Sequence, residues 1–175
     1  MAIKLIQVIA LTAALSTSLH AEVLHIADTG FIVSNQISVS NDIDTTWSVF
    51  VDEVDNWWPK DHSWWLDQGT FSIEPVAGGC FCEKASEGRS AEHMHIAFVD
   101  PGKTMRMTGG LGPLQGMGMF GALDFVFEET DSGTTVTMTY RVNGINPDGF
   151  AELAPIVDTV QGLQIGGLQR FLNSK

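Results

Sequence analysis

Apolar residues at Phe31, Val33, Ile37 and Val39 alternate with polar ones, the two-residue period of a strand with one buried face. Asn41-Asp42-Ile43-Asp44 then offers helix caps, and Trp47, Phe50, Val51 and Val54 follow at helical spacing. Pro59 ends that helix or its extension. The aromatic run Trp57-Trp58-Pro59-Lys60-Asp61-His62-Ser63-Trp64-Trp65 has no clear period and predicts short helical turns and loop. Residues 70–142 predict an antiparallel meander that opens with Phe71 and Ile73 on one strand. Asp100-Pro101-Gly102-Lys103 carries the Pro-Gly of a tight turn, and pairing about it sets Phe98 opposite Met105 and Ile96 opposite Met107. Across a turn at Asp131-Ser132, Leu123, Phe125 and Phe127 oppose Tyr140, Met138 and Val136, while Asp124 and Glu128 face Thr139 and Thr135. These pairings give one apolar sheet face and one polar face. Leu153, Ile156, Val157, Val160, Gly167, Leu168, Phe171 and Leu172 recur at three and four residues, an amphipathic helix suited to lying on a sheet. Gly162, Gly166 and Gly167 each weaken that helix by about 1 kcal/mol relative to Ala. Close approach to the sheet, or space left beside it, is the expected compensation.

The segment Cys80-Phe81-Cys82 … His93-Met94-His95 holds the densest candidate chemistry. A hairpin of residues 79–85 and 91–99 about a two-residue loop at Glu87-Gly88 puts Cys80 opposite His95 and Cys82 opposite His93. All four side chains then share one face, because alternate residues of a strand do. Directly opposed Cβ atoms stand about 4.5–5.5 Å apart. Two thiols and two imidazoles at such a rectangle suit one tetrahedral soft metal, zinc above all. The competing reading is four ordinary strand residues. A one-residue slip would turn the cysteines to the other face of their partner strand, so the site depends on register.

The first residues resemble a secretory leader: one positive charge at Lys4, an apolar run over residues 5–15, and a small, polar exit ending at Ala21. The run is too short to span a bilayer, so residues 1–21 are read as a signal peptide and residues 22–175 as a single domain. That predicts a periplasmic or secreted protein without a membrane span after processing. With 9 Lys+Arg against 21 Asp+Glu, nothing can neutralise phosphates over a surface, which argues against nucleic-acid binding. Two cysteines in an exported chain suggest a disulfide, but positions i and i+2 of an extended strand stand near or beyond its reach. Free thiols, a metal pair and an intermolecular bridge remain.

A strand, a helical segment, a six-stranded meander and a long C-terminal helix follow the order of a helix-grip fold. The sequence resembles the START-like (SRPBCC) superfamily, in the branch that is activator of heat-shock ATPase-like or polyketide cyclase-like. The likeness runs from about Phe31 to Leu172. Trp47, Asn56-Trp57-Trp58-Pro59, Glu74-Pro75-Val76-Ala77-Gly78-Gly79-Cys80-Phe81-Cys82-Glu83, Val99-Asp100-Pro101-Gly102-Lys103 and Gly133-Thr134-Thr135-Val136-Thr137-Met138-Thr139 carry it. The segment Gly109-Gly110-Leu111-Gly112-Pro113-Leu114-Gln115-Gly116-Met117-Gly118 is similar to that of exported members. The resemblance implies an α+β fold, a curved antiparallel sheet wrapped around the last helix, and an apolar cavity between them. It does not fix a function, since this fold hosts many.

The candidate lining is Phe81, Met94, Ile96, Phe98, Met105, Met107, Phe125, Met138 and Tyr140, most of which also serve as core. Phe98, Met107, Phe125 and Tyr140 border the expected ligand site. Glu83 points to the apolar side, as a lone acid of raised pKa or at the strand's wet end. His62 is a further polar candidate or a solvated loop residue. Asp124 and Asp158 offer carboxylates with no partner spacing that marks an acid–base pair. No phosphate loop, nucleophile elbow or dinucleotide fingerprint appears, and the glycines of segment 109–118 predict a mobile or tightly turning loop at the cavity mouth. Three functions follow. The first is an exported binding protein for a small apolar molecule or lipid, with partner proteins unspecified. The second is a cyclase/dehydratase-type enzyme using Glu83, Tyr140 or His62. The third is a metal-binding or thiol module on the Cys/His hairpin. Export disfavours a co-chaperone role. No cofactor beyond the zinc candidate is indicated.

Overall fold

The computed structural model describes residues 20–175, so the leader assigned to residues 1–21 lies almost wholly outside them. Eight strands form one antiparallel sheet: β1 His20–Ala27, β2 Gly30–Val39, β3 Thr70–Ile73, β4 Cys80–Lys84, β5 Ser90–Asp100, β6 Thr104–Gly109, β7 Phe120–Thr130 and β8 Gly133–Asn143. Their order across the sheet is β1-β2-β8-β7-β6-β5-β4-β3, so β3–β8 are the predicted six-stranded meander and the sheet curves around the helices. Helix α1 (Ile43–Asp52) starts where Asp42 Oδ1 accepts the Thr45 N–H at 2.7 Å. It leads through α2 (Val54–Trp57) and two short 3₁₀ turns to β3 at the far sheet edge. A short helix α3 (Pro113–Gly116) interrupts the path from β6 to β7. The chain ends in α4 (Leu153–Asn173), which packs on β2 and β1. Apolar residues of the concave sheet face, Val33, Phe81, Ile96, Met107, Phe125 and Met138 among them, are buried under these helices.

The β7/β8 pairing follows the alternation: Leu123 faces Tyr140, Phe125 faces Met138 and Phe127 faces Val136. The other two hairpins depart from it, and β5 carries the cause in both. Ala85 N–H donates to Arg89 C=O at 2.9 Å, so the first loop holds one residue more than a two-residue turn. Lys84 therefore faces Ser90, and Cys82 faces Glu92. A bulge between Phe81 and Cys82 restores the other register, with Phe81 opposite Met94 and Cys80 opposite His95. His93 is the extra residue. A bulged strand places two residues against one and bends there, and His93 and Met94 both turn into the protein. The predicted opposition of Cys82 and His93 is thereby corrected.

On its other edge β5 repeats the device. Asp100 pairs with Thr104 around a three-residue loop, Val99 faces Met105 and Phe98 faces Arg106. Beyond a bulge at Ala97, Ile96 faces Met107 as predicted. Phe98 is thus 48 % exposed on the outer face, a second correction. Strand β1 was not anticipated: it begins at the end of the sequence that reads as a leader, and its own bulge between Val23 and His25 breaks the alternation beyond it.

Candidate functional site

Cys80 and Cys82 are bonded to each other, with Cα atoms 5.4 Å apart. Cys80 and Cys82 flank the register shift opposite the extra residue His93, and their Cα separation lies within the range a disulfide spans. This overturns all three readings of the thiols. It also removes the metal rectangle: the sulfurs are spent, His93 points inward and His95 stays exposed. Among the described residues no group of three metal ligands converges, so Cys80, Cys82, His93 and His95 do not form a zinc site.

What the bulge creates is a buried pair. His93 Nε2 lies 2.9 Å from Glu83 Oε2, with His93 3 % and Glu83 0 % exposed. Both come from the hairpin, Glu83 from β4 and His93 from the bulged turn of β5. Phe81 and Phe71 flank the imidazole, ring centroids at 5.1 and 5.5 Å. Ser63 Oγ donates to Glu83 Oε1 at 2.5 Å, and the Trp64 N–H donates to Oε2 at 3.1 Å. The Trp-rich segment reaches these positions because Lys60 Nζ binds Asp55 Oδ1 (2.6 Å) and Gly69 C=O (2.9 Å), while Asp55 Oδ1 also accepts the Phe71 N–H (2.7 Å). Gly69 is required there: a Cβ would fall 1.9 Å from Glu83 Oε1.

Burial pushes the Glu83 carboxyl up, but the hydrogen bonds from Ser63, His93 and Trp64 N–H, with the His93 charge, outweigh it and hold the carboxyl below its ordinary value. Both readings of Glu83 are thereby corrected: its hydrogen bonds replace the raised pKa, and its full burial replaces the wet strand end. For His93, burial dominates over the hydrogen bond and charge of Glu83 and lowers the imidazole below its ordinary value. At neutral pH the pair is a carboxylate and a neutral imidazole.

His93 forms part of the wall of a cavity of about 400 Å³. The rest comes from the Trp-rich segment (Trp58, Asp61, His62, Ser63, Trp64), the loop and α3 (Leu111 to Leu114, Met117), Tyr140 of β8, and the first half of α4. Leu153, Ile156, Val157 and Val160 face this space instead of the sheet, so half of the predicted helix stripe is cavity wall. Polar side chains face inward beside it: Gln161 is 1 % and Gln164 5 % exposed. Gly167 permits this seating, since a Cβ there would lie 2.2 Å from the Trp57 carbonyl. The close approach is to α2, not to the sheet.

Of the six predicted ligand-site residues, Tyr140 and His62 line the cavity, and Glu83 stands directly behind His93. Met107 and Phe125 belong to the filled core beneath α2, and Phe98 lies outside. Tyr140 Oη donates to Gly109 C=O (2.8 Å) and accepts the Leu111 N–H (3.0 Å), fastening the loop at the cavity mouth. Burial, only partly offset by the Leu111 N–H, pushes its hydroxyl up to about 12, so it is a structural tie and not an acid–base group near neutrality. Asp124 is held by Arg106 and Arg141 at 2.6 and 2.9 Å, and Asp158 receives Asn35 Nδ2 at 3.0 Å. Sequence reasoning missed His93 as a cavity residue and missed Trp58, Gln161 and Gln164. Glutamines on an apparently apolar helix stripe were the signal at hand.

No family model matches the chain, and no curated protein matches it. Several solved structures do. Protein MLL2253 from Mesorhizobium loti superposes with a TM-score of 0.60 at 17 % identity, covering 82 % of this chain and 98 % of that one. Protein SSP2350 from Staphylococcus saprophyticus gives 0.59 at 15 % identity over 81 % and 91 %. CalU16 from Micromonospora echinospora gives 0.57 at 11 % identity over 90 % and 85 %. At these identities the likeness shows the fold alone, an α+β helix-grip fold with a curved antiparallel sheet and a long C-terminal helix.

Proposed function

We propose that this protein binds a small, mainly apolar molecule carrying polar groups in the cavity between α4, β5, β8 and the loop bearing α3. One observation carries the reading. Trp58 Nε1, His62 Nδ1, Gln161 Nε2 and Oε1, and Gln164 Oε1 are buried without a hydrogen-bond partner among the described residues, and all four residues line this cavity. A buried polar atom left unpaired costs about 1–3 kcal/mol, which a ligand pairing it recovers. The apolar wall of Leu111, Leu114, Leu153, Val157 and Val160 supplies the burial. The cyclase-like or heat-shock-activator-like resemblance is in keeping with a cavity of this kind but does not choose its ligand.

Export belongs to the same reading. The leader-like pattern of residues 1–21 and the Cys80–Cys82 disulfide both fit an oxidising periplasmic or extracellular setting. N-terminal sequencing of protein recovered from cell fractions tests it: a mature chain beginning at Glu22 in the exported fraction is expected, and a full-length cytoplasmic product overturns it.

Binding is tested with N-phenyl-1-naphthylamine, a neutral dye suited to a chain of net charge −12. Saturable fluorescence enhancement at one dye per chain is expected. Val157→Trp, which fills the cavity from α4, abolishes it while the thermal midpoint stays within a few degrees. No enhancement with the unaltered protein rejects the reading.

A second reading, acid–base catalysis in the same cavity, is favoured by the Glu83–His93 pair, in which a carboxylate orients an imidazole. Turnover lost in His93→Gln with dye binding retained would support it over simple carriage.

A further inference from the structure

Within the binding reading above, on which this step rests, the geometry points to the class of ligand: a flat molecule bearing a phenolic or enolic hydroxyl, whose O–H is accepted by His93 Nδ1. Glu83 sets the tautomer of His93. Its two oxygens face three groups: Ser63 Oγ at Oε1, and the Trp64 N–H and His93 Nε2 at Oε2. An ionised carboxylate only accepts hydrogen bonds, so Nε2 must carry the ring proton. A neutral imidazole has one N–H, so Nδ1 is left as a bare acceptor. Nδ1 has no donor among the described residues, the side chain is 3 % exposed, and the ring forms part of the cavity wall. The tautomer is therefore dictated by the wall behind the ring, and the cavity asks its occupant for a hydrogen-bond donor.

The other unpaired groups narrow the choice. Trp58 Nε1–H is a donor without an acceptor, and Gln161 offers one of each. A hydroxyl serves both kinds of partner, since it donates one hydrogen bond and accepts others. Aromatic Trp58, Trp64 and Tyr140 on the wall favour a planar body. An acidic hydroxyl gains most at this position, because transfer of its proton to Nδ1 turns a neutral hydrogen bond into a charge-assisted one, about twice as strong. If the proton transfers, it leaves the ligand oxygen for Nδ1. The result is an imidazolium bound to the Glu83 carboxylate and a ligand oxyanion beside the Trp58 and Gln161 donors, with total charge unchanged.

The test compares 2-naphthol with 2-methoxynaphthalene, which shares its ring system but cannot donate, each displacing N-phenyl-1-naphthylamine from the unaltered protein. We expect 2-naphthol to bind about tenfold more tightly, the factor one net hydrogen bond supplies. Nitrogen-15 NMR of the histidine ring, assigned by comparison with His93→Gln, should place the proton on Nε2. Its Nδ1 signal should shift with 2-naphthol and stay put with the ether. Equal affinities, or a resting Nδ1–H tautomer, overturn the hydroxyl inference while the binding reading stands. Binding of the dye with neither naphthalene competing has the same consequence. Failure of dye and naphthalenes alike removes the binding reading itself.

Discussion

Glu83 and His93 concentrate the pH sensitivity of this protein, and the signs are set by their surroundings. The imidazole is lowered below its ordinary value of 6.5, chiefly by burial. As pH falls from 6.5 toward the folded value, the unfolded chain takes up a proton that the folded chain refuses, and stability declines. Glu83 is held below its ordinary 4.5, because its hydrogen bonds and the His93 charge outweigh burial, so a second loss follows as pH falls from 4.5 through its folded value. Asp158, raised chiefly by burial, opposes the trend near 3.8 and above, since the folded chain there takes up its proton first. Thermal melts between pH 8 and 4 should therefore show a flat region above 6.5 and a decline below it. His93→Gln should remove the upper part of that decline. An unchanged profile in His93→Gln would show that other groups carry it. Glu83→Ala would leave Ser63, the Trp64 N–H and His93 without their acceptor and should destabilise by denaturant titration, each buried donor left unpaired costing about 1–3 kcal/mol. Gly69→Ala attacks the same pair through space, its Cβ displacing the Glu83 carboxylate.

Strand β5 decides where the chemistry falls. Loops that hold one residue more than a two-residue turn flank it on both sides, and a bulge in β5 takes up each offset. One bulge turns His93 inward, and the other leaves Phe98 outside. The loop register puts Cys82 opposite Glu92, and the Cys80–Cys82 disulfide spans the β4 residues that face the bulge. Closing so short a loop contributes only about 1–2 kcal/mol on chain-entropy grounds. Cys80→Ser/Cys82→Ser should accordingly lose no more than that, and His93 should keep its ring-nitrogen chemical shifts. A shifted His93 signal would mean that the disulfide holds the bulge. On α4, Gly167→Ala should destabilise by about 1–3 kcal/mol despite the better helix propensity of Ala, because the Cβ meets the Trp57 carbonyl at 2.2 Å. Equal or greater stability in a denaturant titration would refute that close packing.

At the scale of the whole molecule, α4 divides its work along its length. Its second half, with Ile165, Leu168 and Leu172, is buried core. Its first half spans the cavity, with Ile156 60 % exposed at the rim. An occupant bridging α4, the Trp-rich segment and the loop of α3 joins three elements that the sheet alone does not hold together. At a hundredfold excess over its dissociation constant, such a ligand adds about 2.7 kcal/mol. A protein of this size gains about 2–4 °C per kcal/mol, so the midpoint should rise about 5–10 °C. Scanning fluorimetry with 2-naphthol checks this, and the Val157→Trp variant should show no rise. No described helix is long and apolar enough to cross a membrane.

Elements whose patterns are long and uninterrupted were legible from the residues alone. The alternation of β2, the Asp42-capped α1 and the period of α4 state their element type, and β7 and β8 state their register as well. The sequence also marked Tyr140 and His62 as cavity residues and set Glu83 on the buried face. Tertiary structure decided the rest through offsets of a single residue. A strand's period is two, so one residue added at a loop reverses every inward and outward assignment until a bulge reverses it back. Nothing in Glu92-His93-Met94 or Ala97-Phe98 states which residue is the extra one. That choice depends on how the loops at Glu87-Gly88 and Pro101-Gly102 close and on what the curved sheet can bury. The same offset that dissolved the Cys/His rectangle joined His93 to Glu83. The glutamines of α4 became cavity residues only because Gly167 let the helix settle on Trp57, leaving its first half over open space.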